Sequence, residues 1–183
     1  EGKTLFAAIA HYFGFLTILT NIAVILVYAA ILFAPRTLSF FRRPGVQASA
    51  LATFILVMLF QHFILAPTRT APLVGIDYTV DLINHYRAPA LFLVWWLTTL
   101  PQPLRWAGLP AIMLPAILYP AYVLARGPVL KEYPYKVLDV KLHGYPFVLT
   151  YMVQVIIGFA VLCVLVLAVN ALVRKTSSPP AKS

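Results

Sequence analysis

Thr17 and His85 are the one pair in this chain that could make a hydroxyl nucleophile and its base, because a threonine alkoxide forms only with a proton acceptor in reach. Asp81 precedes His85 by four residues, a spacing that lets two side chains touch on one helix face, and Phe92 and Trp96 continue that face. A carboxylate there would fix the imidazole tautomer and stabilise its cation, the orienting role a general base needs. Pro89 lacks an N–H, so the carbonyl of His85 loses its helical donor and the helix is expected to bend there. Around Thr17, the residues Thr20, Asn21, Val24 and Tyr28 follow at helical spacing and form one stripe that faces protein or cavity. Asn21 is the second candidate orienting group. A purely structural alternative stands beside this reading: the threonines bond back to carbonyls one turn earlier, Asn21 fastens helices together, and His85 is a packing histidine.

Other polar groups gather toward the same half of the molecule. His11, His62 and Gln61 lie at that end of their helices, and with His85 and Asp81 they could in principle surround a metal or haem. No HExxH or CxxCH spacing occurs, so neither a metal nor another cofactor is expected. Arg87 is expected to snorkel, pair with an acid or greet an anionic substrate group. Cys163 lies inside an apolar run and cannot pair internally. The sequence contains no GxSxG elbow, Walker loop or GxGxxG turn.

The elements that must carry these groups are lipid-facing. Of 183 residues, 62% are hydrophobic and 10% charged, too little polar surface to coat a water-soluble domain. We therefore expect an all-α polytopic transmembrane bundle forming one domain over residues 1–175. Five spans are expected, at Leu5–Phe33, Val46–Leu65, Tyr78–Leu100, Trp106–Ala125 and Phe147–Val173. The third is unusually polar. The Tyr/Pro-rich connection from Gly127 to Pro146 is expected to form an interfacial cap, and Thr176–Ser183 a mobile tail. Glu1 stands where an initiating Met would be, which leaves room for an additional N-terminal helix upstream.

The net charge of +9 is spread in short basic runs beside apolar segments, which suits anionic lipid and not nucleic acid. With the spans alternating sides, one end carries seven Lys/Arg and the other six Lys/Arg with all five acids. The positive-inside rule then favours a cytoplasmic C-terminus.

Several short motifs occur in order: Phe15–Asn21 (FLTILTN), Asn84–Pro89 (NHYRAP) with Trp96, Tyr119–Gly127 (YPAYVLARG), Tyr133–Asp139 (YPYKVLD), and the pair Gly144, Tyr145. Together they resemble the androgen-induced family of integral membrane proteins and its bacterial six-helix relatives. The resemblance implies a bacterial inner-membrane protein and a threonine hydrolase of fatty acid esters of hydroxy fatty acids, with Thr17 and His85 matching the threonine and histidine of the pattern. There are two departures: Trp95 stands where the bacterial pattern has Asp, and a further helix usually precedes the threonine helix.

The expected function is cleavage of a lipid ester, with Thr17 as nucleophile, His85 as base, and Asp81 or Asn21 as orienting groups. The expected partners are membrane lipids, the ester substrate and, in some settings, other membrane subunits. The alternative is a noncatalytic subunit or a scaffold that seats a lipid, pigment or quinone in a larger complex. A transporter, with Arg87 and Asp81 along its path, is disfavoured because the spans show no internal repeat.

Overall fold

The computed structural model describes residues 4–99 and 102–177. The chain runs through α1 (Leu5–Tyr12), α2 (Leu16–Phe33), a 3-10 segment (Arg36–Arg42), α3 (Pro44–Phe60), α4 (Gly75–Leu82), α5 (Ala88–Thr99), α6 (Leu109–Ile112), α7 (Leu114–Leu130) and α8 (Val140–Ser177). No strand occurs among the described residues. Four stretches are long and apolar enough to cross a membrane: Leu16–Phe33, Pro44–Thr68, Trp106–Leu130 and Val140–Thr176. The molecule is thus an all-α membrane-protein bundle, and its segments depart from the expected spans at three places.

The expected first span, 5–33, is two helices. At 1.5 Å per residue α2 alone reaches about 27 Å, close to the thickness of a hydrocarbon core, so the N-terminal part of the run is surplus to a crossing. The break falls at Gly14, where an added Cβ would sit 2.9 Å from the carbonyl of His11 and 3.0 Å from the Arg126 guanidinium. Three side chains one or two turns apart on α7 take the carbonyls that the break exposes. Tyr119 donates to Gly14 (3.0 Å), Tyr122 to Phe13 (3.2 Å) and Arg126 to Ala10 (2.8 Å).

The expected third span, 78–100, is helical from Gly75 to Thr99 as α4, a wide π turn over Ile83–Arg87, and α5; Leu100 lies outside the described residues. It is not among the four apolar stretches, since Asp77, Asp81, Asn84, His85 and Arg87 sit in its first half. The π turn is the form the expected bend takes. The N–H of Ala88 reaches Ile83, five residues back, just before Pro89.

The fourth span extends past Ala125 to Leu130, and a short turn from Val140 precedes the long part of the fifth, so the irregular connection shrinks to residues 131–139. The extra N-terminal turn of α8 is set off by Gly144, whose φ of +78° only glycine adopts freely. Asp139 accepts from the N–H of Lys141 (2.9 Å) and so caps α8. Thr176 and Ser177 are still helical, and the rest of the expected tail, 178–183, lies outside the described residues.

α3 is the hub. Its small residues Ala48, Ser49, Ala50, Ala52 and Thr53 are buried and let neighbouring helices approach closely, as membrane packing favours. Leu51 and Phe54 pack with Val24 and Val27 of α2, Phe92 and Trp96 of α5, and Phe159, Cys163 and Val166 of α8. Phe92 meets Tyr28 and Phe54 edge-on and stacks on Trp95, so the face that continues from His85 is core aromatic. Ser49 of α3 donates to the carbonyl of Ile112 (2.8 Å), whose helical donor, the N–H of Ala116, bonds Met113 instead at the interruption between α6 and α7.

Candidate functional site

Thr17 and His85 meet. The N-terminal turn of α2 and the π turn between α4 and α5 put Thr17 Oγ1 3.2 Å from His85 Nε2. The other ring nitrogen, Nδ1, faces two oxygens of Asp81, its carboxylate Oδ1 and its backbone carbonyl, each at 3.1 Å. Both are acceptors, so the ring proton belongs on Nδ1 and the Nε2 lone pair is left to accept from the threonine hydroxyl. Asp81 is itself held. Gln61, 2% exposed in the π turn that ends α3, donates to Oδ1 at 2.7 Å. Arg69, from the connection beyond α3, donates to the same oxygen at 2.6 Å and to Oδ2 at 3.4 Å. Hydroxyl, imidazole and carboxylate thus form one continuous line.

The other sequence candidates are placed differently. Asn21 donates to the carbonyl of Thr17 (2.8 Å), and Thr20 to that of Leu16 (2.8 Å), so both bond within α2 and neither reaches His85. Thr17, Thr20 and Val24 are buried as one stripe. The imagined gathering of four titratable groups dissolves. His11 contacts Glu132, and His62 lies edge-on to Phe63 and Tyr86. No group of three or more His, Cys, Asp or Glu that could hold a metal exists among the described residues. Arg87 is exposed, and it is Arg69 that meets the acid. Cys163 is buried and free.

The pair lines a hollow of about 70 Å³ walled by Leu56, Val57, Phe60, Met152 and Phe159, with Tyr119 and Tyr135 among its other polar members. Tyr135 comes from the 131–139 cap. Its hydroxyl has the side chains of Thr17 and Tyr119 and the backbone of Leu16 and Thr17 as hydrogen-bonding neighbours. Burial pushes its phenol pKa up, and these neighbours, by hydrogen-bonding to the oxygen, pull it partly back down. A second hollow of about 670 Å³ shares Leu16, Thr53, Pro115 and Tyr119 with the first and runs between α2, α3 and α7 toward Arg43, whose guanidinium lies 5.5 Å from the Phe40 ring centre.

In the sequence Gln61 is only a polar residue at one end of its helix and Tyr135 only a member of the YPYKVLD motif, while Arg69 carries no signal. Arg69 and Tyr135 both lie in connections whose approach to the site is a product of tertiary folding.

Fold and site together define a helical membrane bundle with a Thr–His–Asp line set in an apolar hollow. Comparison of the chain with protein-family models, with curated proteins and with solved structures finds no match, so this geometry and the residues themselves carry the functional argument.

Proposed function

We propose that this protein is an integral membrane hydrolase that cleaves a lipid ester through Thr17 and His85. One observation carries the reading: a threonine hydroxyl 3.2 Å from an imidazole nitrogen whose partner nitrogen is committed to a carboxylate, in the wall of an apolar hollow. Thr17 Oγ1 attacks the ester carbonyl carbon while its proton passes to His85 Nε2, and Asp81 stabilises the resulting imidazolium. Collapse of the tetrahedral intermediate breaks the bond to the alcohol, which leaves with the proton from Nε2. Water then attacks the acyl-threonine with the same imidazole as base, releasing the acid and restoring the hydroxyl. The second hollow offers room for an acyl chain. The corresponding setting is a bacterial inner membrane with the C-terminus in the cytoplasm.

The test is labelling of the purified protein by a fluorophosphonate, with hydrolysis of a long-chain fluorogenic ester followed in parallel. Wild type should label and turn over, and Thr17→Ala, with its fold checked by thermal unfolding, should do neither. Labelling that persists in Thr17→Ala would reject the assignment. Absence of both activities from folded wild type, with a lipid or pigment held through purification, would favour a scaffold that uses the same hollows for binding.

A further inference from the structure

Asp81 is the most heavily coordinated side chain in the described structure. Its Oδ1 faces Gln61 Nε2 at 2.7 Å, Arg69 at 2.6 Å and His85 Nδ1 at 3.1 Å. Gln61 and Arg69 both come from the far end of α3, the hub helix, whereas Asp81 and His85 come from the polar helix that packs on it. A pure packing contact would not need a buried amide and a guanidinium converging on one oxygen. Arg69 also changes the chemistry, because its charge opposes on the imidazole what the carboxylate favours.

We propose that Gln61 and Arg69 are positioning residues for the Thr17–His85 pair: they lock the Asp81 carboxylate against His85 Nδ1, and Arg69 limits how strongly that carboxylate holds a proton on the ring. This rests on the hydrolase reading for its catalytic consequence, but its electrostatic content does not. Burial of the ring disfavours its cation and the carboxylate favours it, so too strong a carboxylate would hold the proton on the base, while no carboxylate would leave the imidazolium unsupported once Thr17 gives up its proton. Arg69 adds to burial in tempering the carboxylate.

The groups facing the ring from each element are few. Asp81 lies one turn before it, the Thr17 hydroxyl comes from α2, Gln61 comes from the π turn after α3, and Arg69 comes from the connection that follows. His62, on the same π turn, is turned to Tyr86. Burial is the largest influence on the imidazole and disfavours its cation; of the two charges acting on it, Asp81 favours the cation and Arg69 opposes it.

Two variants should therefore move its titration in opposite directions, which loss of structure alone would not do. The full chain, labelled at its four histidines, is titrated by NMR in detergent micelles, with the His85 signal assigned by its loss in His85→Gln. Asp81→Asn should lower the His85 midpoint and Arg69→Gln should raise it, each by roughly one pH unit. Arg69→Lys should return it near wild type. Gln61→Leu should leave the midpoint nearer wild type than either charge change while lowering kcat about tenfold. The acid limb of kcat/KM on a fluorogenic ester should follow the same two displacements.

Midpoints that do not move, or that move the same way in Asp81→Asn and Arg69→Gln, would overturn the proposal even if the ester is cleaved. Opposite movements in a protein that cleaves nothing would uphold the clamp and reject the hydrolase reading instead.

Discussion

The molecule holds two clusters of the same composition, a histidine, an acid and an arginine. At the Gly14 break His11 contacts Glu132, and Arg126 donates to the carbonyls of Ala10 (2.8 Å) and Glu132 (3.2 Å). At the π turn His85 contacts Asp81, and Arg69 donates to the carboxylate itself. In the first cluster the guanidinium is spent on backbone oxygens, and the imidazole lies edge-on to Phe15. In the second the guanidinium meets the carboxylate instead of main chain, and the free ring nitrogen looks at a hydroxyl. Residue types therefore do not separate a seal from a reactive centre. What separates them is the atom that faces the second nitrogen of the ring and whether the arginine meets main chain or side chain.

The strongest way to break this comparison is to remove each imidazole in turn. His85→Gln should lower ester hydrolysis by about a thousandfold or more, about 4 kcal/mol of transition-state stabilisation, because it removes the proton acceptor from Thr17. His11→Gln should stay within about threefold of wild type, since its ring meets only Glu132 and Phe15. Rates measured on the same fluorogenic ester decide it, and equal losses would mean that the two clusters are not chemically distinct.

That contrast also marks what the sequence could and could not disclose. Asp81 and His85 were readable because both partners lie on one helix, where four residues of spacing is a contact. Thr17 was readable as a member of a polar stripe on an otherwise apolar run. The all-helical membrane class followed from composition alone. The Gly14 break was not readable: hydropathy is continuous through it, and the arginine that occupies the break is supplied by α7, 116 residues from the carbonyl it takes. The polar third segment divides its tasks. Apolar residues around Phe92 and Trp96 pack in the core, while Asp81 and His85 in its first half form the site. The places that Arg69 and Tyr135 take at the site are not legible, because a loop residue's destination depends on where its flanking helices pack.

The first cluster should fail in stability before it fails in chemistry. Arg126 is buried, and its removal leaves two carbonyls and the contact around His11 without their donor. Arg126→Met is expected to lower unfolding free energy by about 2–4 kcal/mol, read as a fall in melting temperature in detergent. The fractional loss of hydrolytic rate in the protein that remains folded should be far smaller than in His85→Gln. A variant that melts like wild type yet is inactive would reverse the roles assigned to the two arginines.

The smallest effect is expected at Asn21, and it tests how little the second cluster depends on its own helix. Its amide donates to the carbonyl of Thr17 at 2.8 Å, but that carbonyl has two lone pairs and already accepts the helical N–H four residues on. Asn21→Ala therefore leaves no acceptor unsatisfied and should cost under about 1 kcal/mol of stability. The Thr17 hydroxyl is oriented from across the bundle by His85 and the Tyr135 cap, so the ester rate should change by less than about fivefold. A loss as large as that of Asp81→Asn would mean that the threonine is aimed from within α2. The line from carboxylate to hydroxyl would then be a consequence of that aim instead of its cause.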